Sequence, residues 1–151
     1  MLDIETLFKQ YRDDVYRLAL SYTKSVQEAE DVCQTVFLKL MEQKTIEPGK
    51  ERARLMQETA NRCKNLLRSS WWKRTVPMED TLPSPAPEYT DIWEKVMALP
   101  PKYRVLIYLR YYEELTTGEM ARLLHISQSA VTTRLSRARQ MLKEQLQEVT
   151  L

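Results

Sequence analysis

A helix–turn–helix pattern occupies residues 115–142, which read LTTGEMARLLHISQSAVTTRLSRARQML. A short run of apolar residues at helical spacing precedes a tight turn at His125 and Ile126, and a longer run with the same spacing follows it. The positions expected to face inward are Met120, Ala121, Leu124, Val131, Leu135, Ala138 and Leu142. A short helix joined to a longer one in this way is typical of motifs that place the second helix in the major groove of DNA.

The outward face of the second helix carries side chains that form hydrogen bonds, and none of them is acidic. They are Ser129, Thr132, Thr133, Ser136, Arg137 and Gln140. Hydroxyl and amide groups reach base edges, and Arg137 can bind guanine or a phosphate. Arg134 and Arg139 lie on the flanks, where they can reach the DNA backbone. The alternative is an amphipathic helix whose polar face only meets water, but arginines clustered without acids favour a DNA-reading face.

The rest of the chain also predicts helices. Only two of the 151 residues are glycine, which argues against β-hairpins and excludes glycine-rich phosphate loops. Apolar residues recur with helical spacing in three stretches of the first half, which start at Ile4, Val26 and Leu55. The second stretch runs to Met41, which is expected to face inward with the rest. Ser25 is expected to cap the second of these helices, and Ser127 the last helix of the chain. We therefore expect an all-α fold in which the first three helices form a small bundle.

A proline-rich segment separates two groups of helices. Residues 77–87 contain four of the seven prolines and few apolar residues, which is typical of an extended linker. The sequence therefore predicts a first domain at residues 1–72, a linker at residues 73–90 and a second domain at residues 91–151. Within the second domain, Pro100 and Pro101 separate a short helix from one that runs through Tyr112.

The formal net charge of +2 conceals two basic blocks. Residues 50–74 have a charge balance of +6, and residues 122–143 have a balance of +5 with no acid among them. For either block alone, a solvated helix face is the favoured interpretation. Together, on separate helices, they favour two contacts with nucleic acid.

The chain offers little for catalysis or metal binding. His125 is the only histidine, and the sequence indicates no nucleophile or acid to accompany it. Cys33 and Cys63 lie on apolar helical faces, where burial is favoured over a disulfide or a metal site. No run of 18 apolar residues occurs, and the acidic N-terminus lacks a signal-peptide core. We expect a cytoplasmic protein with no membrane insertion, no catalytic residue, no metal and no cofactor.

Several motifs in order resemble the extracytoplasmic-function (ECF) sigma factors of the sigma-70 family. In the second half these are LPPKYR at 99–104, LRYY at 109–112, EMA at 119–121, Val131 and RLSRAR at 134–139. In the first half, AEDVCQTVFL at 29–38 is similar to the polymerase-binding helix of that family, and residues 61–68 are similar to its helix that reads the −10 promoter element. The resemblance covers nearly the whole chain.

The resemblance implies a function and three sets of site residues. A sigma factor binds core RNA polymerase, at the β′ coiled coil and the β flap, recognises promoter DNA and helps to open it. The implied polymerase-binding residues are Asp31, Gln34, Thr35 and Leu38. The implied −10 residues are Asn61, Lys64, Asn65 and Arg68. The implied −35 residues are Ser129, Thr132, Thr133, Arg134, Ser136, Arg137 and Arg139.

Other consequences of the resemblance concern particular positions. Cys33 and Phe37 are expected to face the bundle core rather than the polymerase. The loop from Lys44 to Lys50 is expected to receive an unpaired base of the opened strand. His125 stands where the family usually has a glycine, so we expect it to adopt left-handed backbone geometry.

Two other classes of function remain open from the sequence. The first is a stand-alone helix–turn–helix transcriptional regulator, which would not need the polymerase-type motif at 31–38. The second is a protein-binding helical adaptor whose basic faces serve solubility, and salt-dependent DNA binding would exclude it. An anti-sigma factor is a further partner that the resemblance allows but the sequence does not identify.

Overall fold

The computed structural model describes residues 3–43, 46–68 and 90–150, and within these ranges it contains helices and no strand. This confirms the all-α prediction for the described residues. The chain divides into two compact units, residues 1–79 and 80–151. Residues 73–89 of the predicted linker lie outside the described residues, and only residue 90 is described. The boundaries of the linker therefore stay a prediction.

The first unit is built from three helices. They are α1 (Ile4–Thr23), α2 (Val26–Met41) and α3 (Glu51–Arg68), and α1 packs against both of the others. The break between α1 and α2 occurs at Lys24, which adopts left-handed geometry with φ of 51°. Ser25 then caps α2 as predicted, because its side chain accepts a hydrogen bond from the backbone N–H of Glu28 over 3.3 Å.

The core of the first unit contains most of the inward positions predicted from the spacing. Val15, Leu18 and Leu55 are fully buried, and the rings of Phe8 and Phe37 meet edge to face with centroids 5.1 Å apart. Both cysteines are buried and unpaired, as expected for small apolar side chains. Leu66 and Leu67 are only half-buried, since they lie in the last turn of α3.

The second unit is built around the last helix. Its helices are α4 (Thr90–Met97), α5 (Pro101–Ile107), a π-helical turn (Tyr108–Tyr112), α6 (Thr117–Leu124) and α7 (Gln128–Thr150). Pro101 occupies the first position of α5 as predicted. Helix α7 packs against α4, α5 and α6, and the buried side chains between them include Leu106, Leu109, Met120 and Leu135. The apolar spacing thus closes a second, separate core.

The π turn corrects one sequence prediction. The α-helix that begins at Pro101 was expected to run through Tyr112, but it ends at Ile107 and a π turn follows, in which the side chain of Tyr112 is 43% exposed. The backbone N–H of Glu113 bonds to the carbonyl of Tyr108 over 3.2 Å, which is the wider i→i+5 pattern of a π-helix. That extra residue in the turn changes the direction of the following side chains, so Tyr112 stacks on the buried ring of Tyr108, with centroids 5.2 Å apart.

Candidate nucleic-acid interface

The start of the helix–turn–helix is held by a reciprocal cap. The Glu119 N–H donates to the Thr116 hydroxyl over 3.1 Å, and the Thr116 N–H donates to the Glu119 carboxylate over 2.9 Å. These bonds to Thr116 are the main reason why the pKa of Glu119 lies below its usual value. Thr116 is therefore the capping residue of α6.

The turn has the backbone geometry predicted from the sequence. His125 adopts φ of 55°, which is left-handed, and the Ile126 N–H bonds back to the Ala121 carbonyl over 3.2 Å. Ser127 then accepts a hydrogen bond from the Ala130 N–H over 3.0 Å, which confirms it as the cap of α7. A bond of 2.8 Å from the Gln128 amide to the Thr117 hydroxyl joins the two helices of the motif.

Helix α7 presents the expected polar face. Val131, Leu135 and Ala138 are buried, while Arg134 is half-buried and Leu142 partly covered. The exposed side chains are Ser129, Thr132, Thr133, Ser136, Arg137, Arg139 and Gln140. Six of the seven predicted −35 residues thus lie exposed on one helix, and the packing leaves their polar atoms accessible to a large ligand such as duplex DNA.

Two arginines of this face contact tyrosines outside α7. The Nε–H of Arg139 donates to the hydroxyl of Tyr111 over 2.6 Å. Arg137 lies beside Tyr103, and its hydrogen bond to that hydroxyl is the largest cause that lowers the pKa of the Tyr103 phenol. The sequence did not indicate either pairing, because the partners are far apart in the chain and no local spacing relates them.

Helix α2 carries the four predicted polymerase-binding residues on its surface. Asp31 and Gln34 are exposed and Thr35 is half-buried. Leu38 is 61% exposed, although it is a large apolar residue, and it lies close to the end of α2. Cys33 and Phe37 face the core, as predicted.

One further residue extends that surface. Met41, three positions after Leu38, is 59% exposed. Residues three apart are neighbours on a helix, so Met41 enlarges the apolar patch that Leu38 begins. The helical spacing places Met41 among the inward positions of α2, and that prediction is wrong. Helix α2 ends at Met41. Among the described helices, none covers the side of its last turn that carries Leu38 and Met41.

Helix α3 brings the predicted −10 residues to one side of the first unit. Asn65 and Arg68 are exposed, and Asn61 and Lys64 are half-buried. Asn61 and Asn65 line a groove of about 320 Å³ between α2 and α3, together with Lys39 and Arg62. The Gln57 amide donates to the Asn61 side chain over 3.1 Å. The acid Glu58 also lines the groove, where its carboxylate pairs with Arg54 over 3.3 Å. The two cations beside the amides outnumber it, so the groove favours a polar, anionic ligand.

Some predictions about this side lie partly outside the described residues. The loop from Lys44 to Lys50 was expected to touch opened DNA, but residues 44 and 45 are not described. Gly49 in the same loop has φ of 83°, a geometry that favours glycine. In the ranges that the structure describes, no group of three or more potential metal-binding side chains occurs, and no helix there is long and apolar enough to cross a membrane.

Comparisons with known proteins agree with both units. The family described as Sigma-70 region 2 matches residues 7–73, and the family described as Sigma-70, region 4 matches residues 89–142. The ECF RNA polymerase sigma factor SigM of Bacillus subtilis is 29% identical over 155 residues, which cover 94% of each chain. The ECF sigma factor SigE of Mycolicibacterium smegmatis is 28% identical over 94% of this chain and 61% of its own.

The fold itself has a solved counterpart. The sigma factor RpoE of Bartonella quintana, crystallised with the anti-sigma factor NepR, matches 96% of this chain and 97% of its own with a TM-score of 0.76 at 21% identity. The comparisons give no support to a stand-alone regulator, because both region 2 and region 4 are matched. The chain therefore belongs to the sigma-70 family, as an extracytoplasmic-function RNA polymerase sigma factor that directs transcription initiation and is not an enzyme.

Proposed function

We propose that this sigma factor binds core polymerase through the α2 surface formed by Asp31, Gln34, Thr35 and Leu38. The exposure of Leu38 carries this proposal. An apolar side chain left in water beside polar neighbours is typical of an interface that a partner completes. The β′ coiled coil is the proposed partner of this surface, and the β flap is the proposed partner of the second unit.

The −10 promoter element is the proposed ligand of α3. Asn61, Lys64, Asn65 and Arg68 combine amides, which form hydrogen bonds with bases, and cations, which bind phosphates. The groove that contains Asn61 and Asn65 supports a contact with bases on this side of the helix. Capture of unstacked bases would offset the cost of opening the duplex without any hydrolysis.

The −35 element is the proposed ligand of α7. Short hydroxyl side chains on the exposed face allow close approach to base edges, while Arg137 reaches further. The seven proposed contact residues are Ser129, Thr132, Thr133, Arg134, Ser136, Arg137 and Arg139. The left-handed turn at His125 and the caps at Thr116 and Ser127 support this role because they set the angle at which α7 leaves the motif.

Two further proposals concern the setting of this activity. We place the protein in the cytoplasm, because the polymerase that a sigma factor serves works there. An anti-sigma factor is a proposed inhibitor, since the solved counterpart RpoE was crystallised with one. Such an inhibitor would compete for the surfaces that polymerase uses.

Reconstituted transcription tests the proposed function. Core polymerase is incubated with a pool of genomic fragments, with and without this protein, and the transcripts are mapped. We expect start sites that appear only when the protein is present. If it bound duplex DNA but neither bound core polymerase nor produced such transcripts, the stand-alone regulator would replace the proposal. If salt-dependent DNA binding were also missing, an adaptor role would replace both.

A further inference from the structure

Tyr111 of the π turn contacts Arg139 of α7 across 28 residues of sequence. The Nε–H of Arg139 donates to the Tyr111 hydroxyl over 2.6 Å, and the guanidinium carbon lies 5.6 Å from the centre of the ring. Both side chains are exposed, Tyr111 to 57%. The contact therefore lies on the surface next to the exposed face of α7 and not in the core of the second unit.

Tyr111 accepts a hydrogen bond from Nε of Arg139, which leaves the other guanidinium nitrogens to bind a second partner. A guanidinium has five N–H donors in a planar fork, so a bond from Nε leaves the donors of the two terminal nitrogens for a second partner. A phosphate can bind arginine end-on through these two terminal nitrogens. Because the tyrosine already restricts the side chain, Arg139 loses less conformational entropy when a phosphate binds than a freely rotating arginine would.

The π turn is what presents Tyr111 to α7. Its first residue, Tyr108, is buried, and the Tyr108 hydroxyl donates to Glu113 over 2.6 Å. Its last residue, Tyr112, stacks on the Tyr108 ring. These anchors hold both ends of the turn, while Tyr111 between them faces outward to Arg139. Single π turns inside helices often occur at functional sites.

We propose that Tyr111 is a positioning residue for Arg139, and that it orients the terminal guanidinium nitrogens toward a phosphate of bound DNA. The inference rests on the proposed contact of α7 with DNA and adds a residue from outside α7 to that contact. An exposed tyrosine contributes little to the core, so its effect should be on binding rather than on folding. If Tyr111 acts only by orienting Arg139, substitution of Tyr111 should no longer change DNA binding once Arg139 has been removed.

A double-mutant cycle on the full-length chain tests the inference. Binding to a 30-base-pair duplex of mixed sequence is measured by fluorescence anisotropy at several salt concentrations. We expect Tyr111→Phe, which keeps the ring but loses the hydroxyl, to weaken binding about two- to fivefold. Arg139→Ala should weaken binding further and lower the salt slope by about one, as expected for a lost phosphate contact. In the Arg139→Ala background, Tyr111→Phe should have no additional effect.

The matched control is Tyr112→Phe, the same change at the adjacent residue, which stacks on Tyr108 and should bind DNA like the parent. Thermal unfolding of Tyr111→Phe should also match the parent. Unchanged or tighter binding by Tyr111→Phe would overturn the inference, and so would an equal loss in both backgrounds. Absence of salt-dependent binding by the parent chain would overturn the phosphate contact itself. Failure of promoter-directed transcription is a separate result, because this assay needs no polymerase.

Discussion

Arg52 of α3 donates from Nε to the Asp14 carboxylate of α1 over 3.2 Å. The other oxygen of that carboxylate accepts a hydrogen bond from Arg17, one turn further along α1, over 2.7 Å. Asp14 thus joins the first and third helices of the bundle through partly buried side chains. Helix α3 carries the proposed −10 residues, so this contact helps to hold that helix on the rest of the unit.

Substitution of Asp14 should weaken the first unit. Asp14→Asn removes the charge that two arginines share, and we expect the free energy of unfolding to fall by about 1 kcal/mol. Urea denaturation followed by circular dichroism measures the change. The control is Glu5→Gln, which removes an ion pair with Lys9 that is far more exposed and should leave stability unchanged. Equal effects of the two substitutions would contradict the bridging role of Asp14.

The cap of α6 should contribute to the stability of the second unit. Thr116→Ala removes the hydroxyl that accepts from Glu119, and we expect a loss of about 1 kcal/mol in urea unfolding at pH 7. Thr133→Ala, at an exposed position inside α7, is the control and should cause no loss because alanine favours the helix. A Thr116→Ala protein as stable as the parent would show that the cap is dispensable.

The same cap predicts a pH dependence. The pKa of Glu119 is lowered in the folded chain from its usual 4.5, so the carboxylate is favoured by folding. Its stabilising contribution is fully present above pH 4.5 and is lost as the pH falls through the lower folded value. Unfolding measured between pH 6 and pH 3 should therefore show a smaller loss of stability in Glu119→Gln than in the parent. Identical curves would contradict the lowered pKa.

Leu38 should matter for polymerase binding and not for folding. Its side chain is mostly exposed, so Leu38→Asp should leave the melting temperature unchanged while it introduces a charge into the proposed interface. We expect the affinity for core polymerase to fall about tenfold or more. Gln10→Asp places the same new charge on an exposed position of α1 and serves as the control. Undiminished binding of polymerase by Leu38→Asp would remove α2 from the interface.

Arg137 should contribute to promoter choice. Its side chain is exposed on α7, and we expect Arg137→Ala to weaken binding of the preferred −35 sequence by the holoenzyme about tenfold if it reads a base. Arg110→Ala removes the same charge from the π turn and is the control. Competition between promoter fragments that differ only at −35 measures the effect. Unchanged selectivity would contradict the assignment of Arg137 as a reading residue.

Burial of Cys63 should make the stability of the first unit decrease at high pH. Burial raises the pKa of its thiol from 9.0 to about 12. Between these values the unfolded chain releases the proton and the folded chain keeps it, so the free energy of unfolding decreases as pH rises. Cys63→Ala lacks this contribution, and its stability should decline less than that of the parent between pH 9 and pH 11. Parallel curves for the two proteins would contradict deep burial of the thiol.

The local pattern of the chain was sufficient for the helices, their caps and the exposed faces. Helical spacing of apolar residues determines which side of α2, α3 and α7 is buried, because the hydrophobic effect acts on that side alone. The caps at Ser25 and Ser127 and the left-handed turn at His125 follow from short-range hydrogen bonds and backbone preference, which neighbouring residues decide. The exposed positions of the proposed site residues follow from the same spacing.

Other features required the folded chain. The π turn at Tyr108–Tyr112 departs from the helical period because packing of Tyr108 and its bond to Glu113 outweigh local preference. The sequence therefore wrongly predicted a continuous α-helix through Tyr112. Met41 was wrongly predicted to face inward. Its exposure depends on where α2 ends and on which helices pack against that end, and neither can be read from the spacing of apolar residues.

The sequence by itself determined that this chain is an all-α sigma factor, because apolar periodicity, capping residues and family motifs are all properties of short segments. The tertiary structure decided which distant residues meet: Asp14 with Arg52 in the first unit and Tyr111 with Arg139 in the second. Contacts between residues 28 or 38 positions apart depend on how helices pack and where a turn widens, and no local spacing encodes either.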